Sequence, residues 1–263
     1  MLTETDLEKI CDFIFNESTA SETEVIYSEY ESSTTRFSSN VITQNLNQKN
    51  RSLTIRVIHE KREGTAECNE LNHDTLRNTL EKAMESRAYQ HPNNELLPLA
   101  QPQEYQTVSN YHEKTAFLTP LEKVEWIKTA TQKAKELQME SSGIFDSGWK
   151  LYSIANSHGL KAYHKYSMAD FNYSVEKDKA SGWYEMSSHS IDNINLNTII
   201  DKALDSAIKS ESPTDIKPGD YTVILTAEAL SELFYFLVFY GLNTVGILEK
   251  SNFFHDKLGE KVL

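Results

Sequence analysis

Apolar residues at helical spacing and segments rich in β-branched residues alternate along this chain. Leu7, Ile10 and Ile14 follow a capping sequence that begins at Thr3, which predicts an amphipathic helix ending near residues 16–18. β-Rich segments with polar, Asn-bearing or Gly-bearing connections come next, and they predict an antiparallel meander at residues 24–35, 35–44, 52–58 and 62–68. Another amphipathic helix is predicted to begin at residues 71–74.

The same order of patterns then recurs. After a linker-like stretch rich in Pro and Gln, Pro120 opens a long amphipathic helix at residues 119–137. β-Rich segments follow at residues 143–146, 149–156, 160–166, 169–176 and 181–189, and a last amphipathic helix covers residues 196–208. The sequence therefore predicts an α+β fold of two repeated helix–antiparallel-meander–helix units, with an N-terminal domain at 1–100 and a middle domain at 101–212.

The last fifty residues have a different pattern. Residues 218–225 predict a turn that leads into a buried strand, because Pro and Gly precede a run of Val, Ile and Leu. Residues 227–242 predict an apolar helix that is too short to span a bilayer. Five aromatic residues wrap around this helix, so we expect burial on more than one face, with a partner covering what the domain itself cannot.

Composition and charge exclude several classes of protein. A hydrophobic fraction of 39% with 10% aromatic residues favours a folded chain, and a net charge of −13 without a Lys/Arg cluster argues against nucleic-acid binding. An acidic start without a basic, apolar leader predicts a cytoplasmic protein that neither spans nor enters a membrane. Cys11 and Cys68 lie in unrelated contexts and predict neither a disulfide nor a zinc site.

Several short motifs, taken in order, resemble the TldD/PmbA family. In the first meander they are Arg36, Asn40, the Arg56-Val57 pair and the Gly64-Thr65-Ala66 tripeptide. Further along they are the Asn-bearing turn at 154–160, the Gly-bearing Ser181-Gly182 pair, read as a turn, and the strand-then-helix pattern followed by residues 257–262. The family comprises paired-subunit peptidases that were once described as modulators of DNA gyrase.

The resemblance also assigns a place for the family's chemistry. The catalytic subunit type, TldD, carries a His-Glu-x-x-x-His zinc motif on this helix, and an ungapped count from the strand places the motif on residues 234–239. Phe234, Tyr235 and Phe239 stand where the two zinc ligands and the general base would be, and none of them can bind zinc or activate a water. The chain thus resembles the subunit type without the zinc motif, TldE/PmbA, and we expect no catalytic residue, metal ligand or cofactor in it.

Other side chains are candidates for contacts or for chemistry. Phe236, Tyr240, Trp183 and Tyr184 are candidate peptide or partner contacts, with core packing as the alternative interpretation. The eight histidines are scattered and lack the spacing of a zinc peptidase, although a cluster in space stays open. The serine-rich stretch at 186–190 lacks the glycine elbow and the ordered acid of a serine hydrolase.

These observations lead to one functional expectation and two alternatives. The resemblance implies a subunit that pairs as a dimer with a TldD-like zinc-bearing subunit, or self-associates, and that contributes to proteolysis of unfolded or small peptides. It also implies that residues 213–263 are the beginning of a C-terminal domain that is truncated here. The alternatives are a binding or scaffold module without enzymatic function, and a metallopeptidase whose ligands the sequence does not reveal. The substrate, its cleavage preference and the partner cannot be read from the sequence.

Overall fold

Each of the two predicted repeats forms three strands between two long helices, and the second repeat has a short additional helix before its first long one. The computed structural model describes residues 1–257 and 259–261. The first repeat contains helix α1 (Glu4–Glu17), strands β1 (Glu22–Ser38), β2 (Val41–His59) and β3 (Arg62–Cys68), and helix α2 (His73–Ala88). The second contains helices α3 (Glu113–Ala116) and α4 (Pro120–Glu136), strands β4 (Glu140–Asn156), β5 (Lys161–Lys177) and β6 (Ala180–Ser188), and helix α5 (Leu196–Lys209).

All six strands lie in one antiparallel sheet with the order β3-β2-β1-β4-β5-β6. The first strands of the two repeats are neighbours at its centre, where Glu31 lies opposite Trp149. The predicted α+β fold of two repeated units is therefore confirmed, and both repeats fall within one unit, Met1–Glu211. The boundary that we predicted near residue 100 falls in the segment connecting the repeats and stays a prediction.

The helix ends show why equivalent helices form in both repeats. Thr3 and Thr119 begin the first helix of their repeats with the same capping box, in which the Thr hydroxyl accepts from the backbone N–H three residues on and a carboxylate accepts in return. Asn72 and Asn195 begin the second helix of each repeat, and each side-chain oxygen accepts a backbone N–H. Local capping chemistry thus repeats where overall sequence identity does not.

The helices of this unit cover one face of its sheet, and the other face, here called the helix-free face, carries none of them. In the first repeat, α1 and α2 pack on Val25, Tyr27, Leu53 and Ile55, which alternate along β1 and β2. In the second repeat, α4 and α5 pack on buried side chains of β4 and β5. These are Phe145, Ala169, Phe171, Tyr173 and Val175. The two cores share strands: Phe37 of β1 packs in the second, and Trp149 of β4 packs in the first. Each repeat therefore completes the core of the other.

Two turns fasten the repeats together beside the central strands. Asn40 lies between β1 and β2 at φ 64°, and its Oδ1 accepts from the backbone N–H of Ser141 at 2.9 Å. At the opposite end of the sheet, Ser157 Oγ accepts from the backbone N–H of Thr23 at 3.0 Å. Gly159 completes that turn at φ 91°, as its sequence predicted. Both turns that resemble the family therefore hold the two repeats in register.

Three local predictions for this unit are corrected. The polar stretch 45–50 was expected to connect two strands, but it lies inside the long strand β2, where both faces are exposed and no period-two burial pattern exists. In the second meander, pairs of predicted segments merge into the single strands β4 and β5. Gly182 was read as part of a turn, but it lies in β6, where it allows α5 to approach the strand.

The second unit, Ser212–Leu263, consists of short helices and irregular segments. Helix α6 (Ala227–Phe236) is capped by Thr226, continues as a π-helix at Leu237–Gly241, and is followed by α7 (Thr244–Leu248). The predicted helix is present. The predicted buried strand at 221–225 is wrong: no described residue pairs with this segment, and Val223 and Ile224 are 69% and 96% exposed. The 257–262 segment includes Leu258 and Val262, which lie outside the described residues.

Candidate functional site

The positions predicted to correspond to the family's zinc motif lie where α6 becomes a π-helix. Phe234 and Tyr235 belong to α6, and Phe239 belongs to the π-helical turn. The i to i+5 spacing between positions 234 and 239 is the hydrogen-bond step of a π-helix, and such turns occur often at functional sites. At the end of this turn, Asn252 Nδ2 donates to the carbonyl oxygens of Tyr240, at 3.0 Å, and Gly241. The end of the π-helical turn is thus held by side-chain hydrogen bonds, although the predicted motif positions carry aromatic residues.

The aromatic rings of this helix stack on one another along its surface. Tyr235 stacks on Phe239 with 5.9 Å between ring centroids, and Phe236 stacks on Tyr240 at 6.0 Å. No residue of α6 or of the π-helix is buried, and the exposed fractions of Phe239 and Tyr240 are 58% and 64%. The described chain therefore does not supply the burial that we expected on more than one face. An apolar surface of this kind is typical of a protein interface.

Trp183 and Tyr184 do not belong to one surface. They are neighbours on β6, so their side chains point to opposite faces of the sheet. Tyr184 packs against the core of the second repeat, whereas Trp183 is 46% exposed on the helix-free face. Of the two, only Trp183 is available as a contact residue.

The helix-free face carries aromatic and apolar side chains that the sequence interpretation did not single out as a surface. Tyr152 on β4 stacks with Tyr166 on β5 at 6.4 Å between ring centroids. Tyr30, Lys150 and Met168 surround the same area, and together with Tyr166 they line a hollow of about 70 Å³. Period-two alternation on neighbouring strands is the signal that could have identified this surface, but it needed the order of the strands.

Two carboxyl groups also meet on this face. Glu185 of β6 lies diagonally across from Asp170 of β5, and the two side chains share a hydrogen bond. Burial, followed by the hydrogen bond and the charge repulsion from Asp170, raises the pKa of Glu185 to about 7. One proton shared by two carboxyl groups is also a feature of acid–base sites, and Ser187 of β6 lies directly opposite Asp170 on the same face.

The histidines are dispersed over the described chain. His73 stacks on Phe13, His158 faces Glu22 at 3.5 Å, and the ring of His189 bonds to the carbonyl oxygen of Ser167 at 2.7 Å. Within residues 1–257 and 259–261, no three His, Cys, Asp or Glu side chains are grouped so that they could hold a metal ion. Over the same residues, the helices are all too short or too polar to cross a bilayer.

Two family models match the chain. The PmbA/TldA metallopeptidase domain 1 matches residues 23–87, and the PmbA/TldA metallopeptidase central domain matches residues 113–211. Together the matches cover more than half of the chain. No curated protein sequence matches it significantly.

Solved structures share the fold at low sequence identity. A proposed modulator of DNA gyrase from Thermotoga maritima is 18% identical with a TM-score of 0.85, covering 97% of this chain and 60% of that one. A second proposed gyrase modulator, from Bacteroides thetaiotaomicron, is 17% identical with a TM-score of 0.82. The match covers 100% of this chain and 62% of that one. TldE from Thermococcus kodakarensis is 17% identical with a TM-score of 0.67. The match covers 77% of this chain and 47% of that one.

The chain thus spans between 47% and 62% of the length of these solved relatives. At such identities the structures show the shared fold, whereas the two family models show the lineage of residues 23–87 and 113–211. The chain belongs to the PmbA/TldD metallopeptidase family, and its unit Met1–Glu211 carries the first and central domains of that family.

Proposed function

We propose that this chain is a TldE/PmbA-like subunit without a metal site, which acts with a TldD-like zinc-bearing subunit in the proteolysis of unfolded or small peptides. The observation that carries the proposal is the chemistry of positions 234, 235 and 239, where phenylalanine and tyrosine rings replace imidazole and carboxylate. Zinc in peptidases needs nitrogen and oxygen ligands and an open position for water, and these residues do not fit that ion.

The role of this chain would be to provide surface to the complex. The exposed rings of α6 and its π-helix support an interface with a partner, since a surface of this composition is costly to leave in water. The aromatic helix-free face of the sheet supports contacts with peptide. A cytoplasmic location remains part of the proposal, as the sequence predicted.

Co-expression with a His-Glu-x-x-x-His protein encoded in the same genome tests the proposal. We expect a stable pair to form and to cleave an unfolded protein such as reduced casein, and we expect each chain alone to be inactive. The control is the same pair with both motif histidines of the partner changed to alanine, which should assemble without activity.

Two results would contradict the proposal. Cleavage by this chain alone would indicate a metallopeptidase with other ligands. Failure to pair, together with persistent solitary homodimers, would indicate a scaffold module that has kept only the fold.

A further inference from the structure

Half of strand β5 has no neighbouring strand on one side. Strand β6 pairs only with the stretch from Ala169 to Lys177 of β5. The earlier stretch, from Lys161 to Ser167, pairs with β4 on one side only, and no other described strand lies on the other. An edge of this kind exposes backbone groups that another chain can pair with.

The direction of these backbone groups follows from Ser167. Its N–H donates to the carbonyl oxygen of Asn110 at 2.9 Å, on the side away from β4. Because every second residue of an antiparallel strand points the same way, Lys161, Tyr163 and Lys165 turn their N–H and C=O groups to that side as well. No hydrogen bond among the described residues uses these six backbone groups.

A groove of about 970 Å³ runs beside this edge. Residues 105–109 line it on one side and residues 161–165 on the other, and Ile26, Tyr152 and Ile154 also contribute. The 105–109 segment forms no regular structure and no backbone hydrogen bond to β5. An extended peptide could therefore lie between this segment and the strand, with every second side chain on the helix-free face of the sheet, the face that also carries Tyr152 and Ile154.

One lysine beside the groove has no carboxylate partner in the part of the chain that the structure describes. Lys161, Lys165 and Glu4 line the groove, and the Lys161 ammonium is paired with the Glu8 carboxylate at 3.1 Å. The Lys165 ammonium lies 4.4 Å from the centre of the Tyr111 ring, without a carboxylate partner among the described ion pairs. In a chain with a net charge of −13, this unpaired ammonium beside the edge favours an acidic ligand.

We propose that the free edge of β5 binds an extended, acidic peptide segment of a client protein, which adds to the sheet as a seventh strand. Backbone hydrogen bonds to Lys161, Tyr163 and Lys165 provide affinity without strict sequence preference, and the Lys165 ammonium selects acidic segments. This deepens the proposed function, because it assigns peptide holding to the subunit without the metal site. Binding is measured on this chain alone, so its failure is distinguishable from failure to pair with a zinc-bearing subunit.

The test uses the full chain and a short fluorescein-labelled peptide of alternating glutamate and valine, followed by fluorescence anisotropy. Lys165→Pro removes a backbone N–H that has no partner, so we expect folding to persist and the affinity to fall about tenfold. Lys165→Glu keeps the backbone and should weaken binding about fivefold through like-charge repulsion. The matched control is Lys128→Glu on the exposed face of α4, which should bind as the unchanged chain does.

A second peptide, N-methylated at alternate backbone nitrogens, isolates strand pairing from charge. We expect it to lose most of its affinity although its side chains are the same. Equal binding of both peptides, absence of saturable binding, or unchanged affinity in a folded Lys165→Pro protein would overturn the proposal. So would a homodimer that Lys165→Pro converts to a monomer and that peptide does not disrupt, because the edge would then hold a second copy.

Discussion

Gly64 and Gly182 occupy equivalent positions in the two repeats, each beneath the second helix of its repeat. A Cβ atom at Gly64 would lie 2.1 Å from the carbonyl oxygen of Ala83 in α2, and one at Gly182 would lie 1.9 Å from that of Ala203 in α5. Both distances are far below van der Waals contact, and the obstacle is helix backbone, which cannot move without moving the helix. Both repeats therefore share the same close approach between their third strand and their second long helix.

Substituting either glycine with alanine should destabilise the first unit. We expect Gly182→Ala to lower the free energy of unfolding by about 3 kcal/mol, because α5 must shift away from the sheet, and Gly64→Ala to act similarly on α2. Urea unfolding followed by tryptophan fluorescence measures the effect, since all three tryptophans lie in this unit. Gly219→Ala is the control, with an expected change within about 0.5 kcal/mol. Unchanged midpoints for both core glycines would contradict this packing.

The Glu185–Asp170 pair should make stability fall as the pH rises. The folded-state pKa of Glu185, at about 7, lies above its ordinary value of 4.5, so the folded protein binds more protons than the unfolded chain between these values. The stability that protonated Glu185 contributes is fully present below about pH 4.5, and this contribution is lost as the pH rises through about 7. We expect Glu185→Gln to flatten this part of the profile and to stabilise the protein by about 1 kcal/mol at pH 8, after allowance for solvent screening. Glu125→Gln on α4 should leave the profile unchanged.

Lys123 should contribute stability that increases with pH, in contrast to Glu185, and it should do so at higher pH. This side chain is fully buried, its Nζ donates to the carbonyl oxygen of Ser33, and it lies 5.7 Å from the centre of the Phe145 ring. Burial lowers its pKa from 10.5 to about 8, and the attraction of Asp146 only partly offsets this effect. Lys123 therefore binds more protons in the unfolded chain between these values, and its contribution to stability should rise from about pH 8 to about pH 10.

Lys123→Met tests that slope by keeping the length of the side chain without the charge. We expect the difference in urea midpoint between this variant and the unchanged protein to shrink from about pH 8 to about pH 10, because the other titrating groups are common to both. Lys128→Met, on the exposed face of the same helix, should retain the rise of the unchanged protein. A difference for Lys123→Met that does not shrink would assign the slope to another group.

The aromatic surface of α6 and its π-helix should cause association of the isolated chain. We expect sedimentation velocity to show concentration-dependent oligomers, and we expect Phe236→Ser with Tyr240→Ser to reduce them, because these two stacked rings are largely exposed. Tyr89→Ser removes a ring that is 87% exposed outside this surface and should change nothing. A monomer at all concentrations would count against an interface here.

The sequence predicted the helices of the sheet unit closely because their signals are local. Capping residues such as Thr3 and Thr119 and apolar spacing identify a helix without knowledge of its neighbours. The long strands were less visible. Where neither face of β2 is buried, at residues 45–50, alternation disappears and polar residues imitate a connection.

Other features depended on contacts between distant residues. The pairing of β1 with β4, which makes one sheet from two repeats, has no local signal. Gly182 is needed for the approach of α5 and not for a turn, which only the packed structure shows. The apolar run at 221–225 resembles a buried strand, but it pairs with no described strand and is exposed. The inference that positions 234, 235 and 239 do not bind zinc, by contrast, depends only on the chemistry of their side chains.

Metal content tests the central claim most directly. The isolated full chain, purified without chelators and without a metal-affinity tag, is analysed for zinc by inductively coupled plasma mass spectrometry, beside its complex with a His-Glu-x-x-x-His partner. With rings at positions 234, 235 and 239, we predict no tightly held zinc in this chain alone and zinc in the complex that is lost when the partner's motif histidines are replaced. Stoichiometric zinc retained by the isolated chain through dialysis would contradict the account.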